Sequence, residues 1–118
     1  MSGGRDDSLL LDDLVHAAQR LVLLGLSIDE FPLGSSIERD EQVLWNLTVL
    51  GEAAKRVSAE TRERFPDVPW SLMARLRDRI THHYEGIDWP MVTVVVHDEI
   101  PALAQRLTQI RDTPEPQV

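Results

Sequence analysis

The sequence predicts an all-α protein, an antiparallel bundle of about four long and two short helices. Three observations carry this. Apolar residues recur at three- and four-residue spacing through most of the chain. Serine, aspartate, glycine and proline stand where helix caps and stops belong. The one run with strand propensity, Val92–Val96, follows Pro90 and passes into a helical pattern.

Each element follows in order. Ser8 is placed to cap a first helix, with Leu9, Leu10, Leu14, Ala17, Ala18, Leu21, Val22 and Leu24 at helical spacing and Gly25 as its stop. Ser27 starts a short turn of helix, Ile28–Phe31, ended by Pro32. Ser35 or Ser36 caps the next long helix, whose apolar positions Val43, Leu44, Leu47, Leu50, Gly51 and Ala54 carry it to about Val57. Ser58 opens a second short helix, Ala59–Phe65, ended by Pro66. Pro69 suits the first turn of a helix from Trp70 to about Tyr84, with Leu72, Met73, Leu76 and Ile80 inward and Gly86 beyond its end. Asp88 caps the last helix, which has Pro90 in its first turn, a stripe of Val92, Val96, Leu103, Leu107 and Ile110, and a kink expected at Pro101. The 118 residues make one domain, expected over 8–112, with flexible tails at 1–7 and 113–118.

Composition narrows the function. The chain has no cysteine, which excludes disulfides, thiolate metal sites and a cysteine nucleophile and fits a cytoplasmic location. No apolar run approaches a membrane span, and Met1–Asp7 has neither the basic nor the apolar region of an export signal. The net charge of −8 argues against a broad nonspecific nucleic-acid binder. Much of that charge lies at the ends, however. Residues 14–111 hold 11 basic and 14 acidic groups, and Arg75, Arg77 and Arg79 form a local basic run, so a small anion-binding site is compatible with the acidic whole.

The chemistry concentrates in Arg77-Asp78-Arg79-Ile80-Thr81-His82-His83-Tyr84. Histidine exchanges protons near neutral pH, and arginine grips phosphate oxygens and stabilises charge developing on them. RNA cleavage without a metal needs little more: a base for the 2′-hydroxyl, an acid for the leaving oxygen, and a cation for the charge-rich transition state. Arg77 and His82 are five residues apart, about 140° around a helix, so one copy makes a splayed pair. A two-fold dimer juxtaposing two such helices would bring them into one cleft. Asp78 and His82, four apart, share a face. By composition alone a solvated basic helix face, with one histidine satisfied at the helix C-terminus, explains the stretch better.

The pattern Arg77-x-x-x-x-His82-x-Tyr84 resembles the signature of the HepT-like proteins of the HEPN superfamily. Further segments resemble the family in the same order: Leu50-Gly51-Glu52-Ala53-Ala54-Lys55-Arg56, Val68-Pro69-Trp70, Gly86-Ile87-Asp88 and Ile100-Pro101-Ala102-Leu103. The resemblance covers about residues 9–108 and implies a HEPN-like helical homodimer. It also implies the toxin of a two-gene toxin–antitoxin system, whose antitoxin is a minimal nucleotidyltransferase. It carries metal-independent ribonuclease roles onto Arg77 and His82, and the role of AMP acceptor onto Tyr84. The family often has Asn where this chain has Asp78, a carboxylate that can orient His82 but repels phosphate. The alternative is a non-catalytic helical protein that binds a nucleotidyltransferase and is modified by it.

Other residues have plainer roles. Glu52, Lys55 and Arg56 either form a helix-surface ion pair or support the motif helix or contact RNA, with Glu52 placed as a partner of Arg77 or His82. His16 and His97 have no ligand partner at helical spacing and are expected at the surface, so no metal site is expected. Trp45, Trp70 and Trp89 are expected in the core. No glycine-rich phosphate loop is present and no cofactor is expected; a nucleotide would come with the partner.

Overall fold

The computed structural model describes residues 4–82 and 84–114, and for Gly4–Asp6 and Tyr84 the backbone alone. Among the described residues six α-helices follow one another: α1 (Gly4–Gly25), α2 (Ile37–Arg56), α3 (Ala59–Arg64), α4 (Trp70–His82), α5 (Trp89–Val94) and α6 (Ile100–Arg111). A 3-10 turn, Tyr84–Gly86, precedes α5, and a π-helical turn, Val95–Glu99, joins α5 to α6 as one continuous rod. No strand occurs among the described residues. The four long rods pack in a row: α4 against α2, α2 against α1, and α1 against α6. Leu14, Val15 and Leu21 of α1, Val43, Leu47 and Leu50 of α2, and Val92, Val96, Ile100 and Leu107 of the last rod are fully buried between them. Each such side chain contributes about 1.5–3 kcal/mol by leaving water.

Several local expectations change for physical reasons. Ser8 lies exposed inside α1, which starts four residues earlier. Its neighbour Asp7 is buried: Oδ1 accepts from Ser58 N–H (3.0 Å), and Oδ2 accepts from the Ser58 and Thr61 hydroxyls. Ser58 in turn caps α3 by accepting from Thr61 N–H (3.2 Å). Of the expected flexible tails, residues 1–3 and 115–118 lie outside the described residues. Ile28–Phe31 makes hydrogen-bonded turns rather than a helix. Ser36 stands at the N-cap of α2 without a side-chain bond. The buried Asp40 takes over, accepting from Gly34 N–H (2.8 Å) and Ser36 N–H (3.3 Å). Gly34 has φ +99°, a left-handed conformation that glycine adopts without strain.

At Pro101, where a kink is expected, the helix continues and a π turn lies just before the proline. Pro101 has no N–H to return to the preceding turn, and Ile100 N–H reaches five residues back to the Val95 carbonyl. Asp88 caps α5 as expected, accepting from Met91 N–H (3.1 Å). Leu72, expected inward, is 58% exposed. Trp70 is buried and donates from Nε1 to the Phe65 carbonyl (3.0 Å), and Trp89 is half-buried. Trp45, expected in the core, is 65% exposed. It shares a solvent-facing stripe of α2 with Glu41, Thr48, Glu52 and Lys55.

Candidate functional site

The site begins where α2 and α4 cross. A Cβ on Gly51 would collide with Arg77 Cβ and lie 2.6 Å from the Met73 carbonyl oxygen. Only a residue without a side chain lets α4 come this close, and the close approach sets Arg77 against α2. Arg77 is three-quarters buried on its side chain, with Nε 3.2 Å from Glu52 Oε2 and Nη1 3.1 Å from Asp78 Oδ1. Nε is a buried donor, and the Glu52 carboxylate beside it is too poorly aligned to accept a hydrogen bond. Lys55, one turn beyond Glu52, places Nζ 3.1 Å from the same Asp78 oxygen. Four charged groups from two helices therefore meet at one point. The Lys55 ammonium, and after it the Arg77 guanidinium, hold the Asp78 carboxyl below its ordinary value of 3.8.

His82 occupies the last position of α4 and is exposed. Its Nδ1 is 2.7 Å from the backbone carbonyl oxygen of Asp78. A carbonyl can only accept, so this contact places the proton of neutral imidazole on Nδ1 and leaves the Nε2 lone pair outward. The Asp78 group that orients His82 is thus the main-chain carbonyl; the carboxylate, expected in that role, is engaged by Lys55 and Arg77. Among the described residues no hydrogen bond or ion pair joins Arg77 to His82, as their angular separation implies. His82 borders an open groove of about 700 Å³, with Ile80, Ile87, Met91 and Val92 among its walls and Asp88 beside them. Tyr84 begins the 3-10 turn after α4, while its side chain, and His83 altogether, lie outside the described residues.

The basic run divides. Residues two apart on a helix point about 200° apart. Arg77 faces α2, whereas Arg75 and Arg79 border the opposite groove, between α4 and the last rod, together with Arg106, and Arg79 also lines the groove beside His82. The sequence named Glu52 as a partner of Arg77 or His82 and left Lys55 between a surface pair and a support or RNA contact, without placing it at Asp78. The signal was its three-residue spacing from Glu52, on one face of α2. His16 is exposed, and His97 is half-exposed beside Asp98 (Nδ1 to Oδ1 2.8 Å) and Asp29 (Nε2 to Oδ1 3.6 Å). Among the described residues no cluster of three or more His, Asp or Glu side chains could hold a metal ion. No described helix is long and apolar enough to cross a membrane.

A helical fold carrying an Arg–His pair on one helix, braced by a glutamate and a lysine from its neighbour, defines a class that comparison with known proteins identifies. The model of the family described as "Ribonuclease HepT-like" matches residues 15–110. The chain belongs to this HepT-like family of the HEPN superfamily. It is 30% identical over 105 residues to "Putative RNase MJ1380" of Methanocaldococcus jannaschii, covering 87% of this chain and 94% of that protein. It is 33% identical over 85 residues to "Putative RNase MJ0127" of the same organism, covering 72% of this chain and 69% of that one. To "Probable ribonuclease HepT" of Thermococcus cleftensis it is 33% identical over 69 residues, 58% of this chain and 63% of the other. No solved structure matches the chain.

Proposed function

We propose that this protein is a metal-independent endoribonuclease acting through Arg77 and His82, and the toxin of a toxin–antitoxin pair. The observation that carries the reading is the contact of His82 Nδ1 with the Asp78 carbonyl, 2.7 Å, which turns Nε2 outward as a proton acceptor. In the reaction an imidazole takes the 2′-hydroxyl proton and O2′ bonds to the adjacent phosphorus. The bond from phosphorus to O5′ breaks, and an imidazolium returns a proton to the leaving oxygen. The Arg77 guanidinium stabilises the negative charge gathering on the non-bridging oxygens. The products are a 2′,3′-cyclic phosphate and a 5′-hydroxyl.

One copy of α4 splays Arg77 and His82 apart. The working unit we propose is a homodimer, in which two copies of the helix supply one cleft with a base, an acid and two guanidinium groups. Neutralisation is assigned to a nucleotidyltransferase antitoxin that transfers AMP from ATP to the Tyr84 phenol oxygen, with release of pyrophosphate. Tyr84 is the only tyrosine in the chain and follows His82 by two residues. An AMP there would add a negative charge and a base beside the proposed cleft. Incubating purified protein with bulk RNA in EDTA tests the central step: cleavage is expected, and intact RNA would overturn it. Co-expression with the nucleotidyltransferase should add AMP mass to Tyr84 and none to Tyr84→Phe.

A non-catalytic reading draws on one observation. Arg77 and Lys55 are matched by Glu52 and Asp78, so the four-group cluster carries no net charge to attract phosphate. In that reading Tyr84 is an acceptor and nothing more, and the purified dimer leaves RNA intact.

A further inference from the structure

Asp78 Oδ1 lies 3.1 Å from Lys55 Nζ and 3.1 Å from Arg77 Nη1. A single anionic oxygen is thus held between an ammonium from α2 and a guanidinium from α4. A non-bridging phosphate oxygen is gripped in this way, by a directed donor and a point charge. The carboxylate is loosely held. The Lys55 and Asp78 side chains are 40% and 41% exposed, and ion pairs this open to water contribute little. Glu52 does not compete for the same place, since it stands on the Nε side of Arg77.

We propose that Lys55 is a phosphate-binding residue of the site, and that the Asp78 carboxylate is an internal stand-in that an RNA phosphodiester displaces. The inference rests on the ribonuclease reading and adds to it a second cation and a resting state. The exchange conserves charge: one monoanion leaves the pair of cations and another takes its place. Asp78 turns to solvent still ionised, because a solvated carboxyl with an ordinary value of 3.8 is charged at neutral pH and no proton is needed for the exchange. In the resting state the carboxylate keeps Lys55 and Arg77 converged, which lowers the entropy lost when phosphate arrives. It also competes with that phosphate, so the same residue organises the site and weakens it.

The test is binding of a short single-stranded 2′-O-methyl oligonucleotide, which cannot be cut, across a salt series. Asp78→Asn is expected to bind several-fold tighter than wild type, since it keeps an acceptor and removes the competing charge. In the Asp78→Asn background, Lys55→Ala is expected to weaken binding about tenfold and to make the salt dependence shallower by about 0.7 in log–log slope, one phosphate contact on a single strand. Lys55→Arg should retain both affinity and slope. Thermal melts of the same variants report folding separately. If Lys55→Ala changes neither affinity nor slope in that background while Asp78→Asn still cleaves RNA, Lys55 is only the partner of Asp78. The inference then fails and the ribonuclease reading stands. If neither wild type nor Asp78→Asn binds the oligonucleotide or cuts RNA, both fail together.

Discussion

Helix α4 has two unlike faces. On one, α4 meets α2 at Gly51 so closely that no side chain fits between them, and Arg77, Asp78, Glu52 and Lys55 converge at the rim. On the other, a groove of about 790 Å³ separates α4 from the last rod; Leu72 stands exposed at its edge, and Arg106 is held across it by Asp67 (Nε to Oδ2 2.7 Å). The difference teaches where rigidity is placed. The charged groups are positioned from the side where the backbones touch, and the apolar side is left open. A site that must hold a guanidinium within a fraction of an ångström needs the first kind of contact.

The largest effect should come from breaking the close face. Gly51→Ala forces α2 and α4 apart, and the expected loss is about 1–3 kcal/mol or more in urea unfolding, together with loss of RNA cleavage as Arg77 is displaced. Unchanged stability would show that the crossing relaxes freely. The open face should be far more tolerant: Leu72→Ala is expected to stay within about 0.5 kcal/mol of wild type, since that side chain is already mostly in water. A large loss would mean that the groove is filled in solution.

Smaller effects follow from charge. The Asp78 carboxyl is held low by Lys55 and Arg77, so its stabilisation is present in full above about pH 3.8 and is lost as pH falls through its folded-state value. The difference in Tm between wild type and Asp78→Asn should shrink below that pH. His97, on the last rod beside Asp29 and Asp98, is a control of opposite sign. Its hydrogen bond with Asp98, and then the charge of Asp29, raise it above its ordinary 6.5. Its stabilisation is complete below about pH 6.5 and disappears as pH rises through the folded-state value. The difference from His97→Gln should follow that curve and leave the α2–α4 contact untouched.

Most of the fold was legible because helices announce themselves locally. The apolar spacing, the Asp88 and Ser58 caps and the prolines lie within a few residues of what they control. Legibility failed where partners are distant. Ser8 passed for a cap because the role of Asp7 depends on Ser58 and Thr61, some fifty residues on. Trp45 passed for core because it neighbours Leu44 and Leu47, although its spacing from Glu41, Thr48 and Glu52 places it on the solvent stripe. Arg77, Asp78 and His82 were readable as one short helical segment. The place of Lys55 was not, because it depends on how α2 and α4 register across Gly51, and no local pattern encodes that register.

The central claim is that Arg77 and His82 cut RNA. The most direct measurement incubates wild type, Arg77→Ala and His82→Ala with a defined RNA in EDTA and reads both the extent of cleavage and the new ends. The account expects wild type to leave 2′,3′-cyclic phosphate and 5′-hydroxyl ends. It expects each variant, with helix content intact, to be slower by at least about a hundredfold, the typical contribution of one positioned proton-transfer group or one transition-state charge stabiliser. Equal cleavage by all three proteins, or none by wild type, would contradict it.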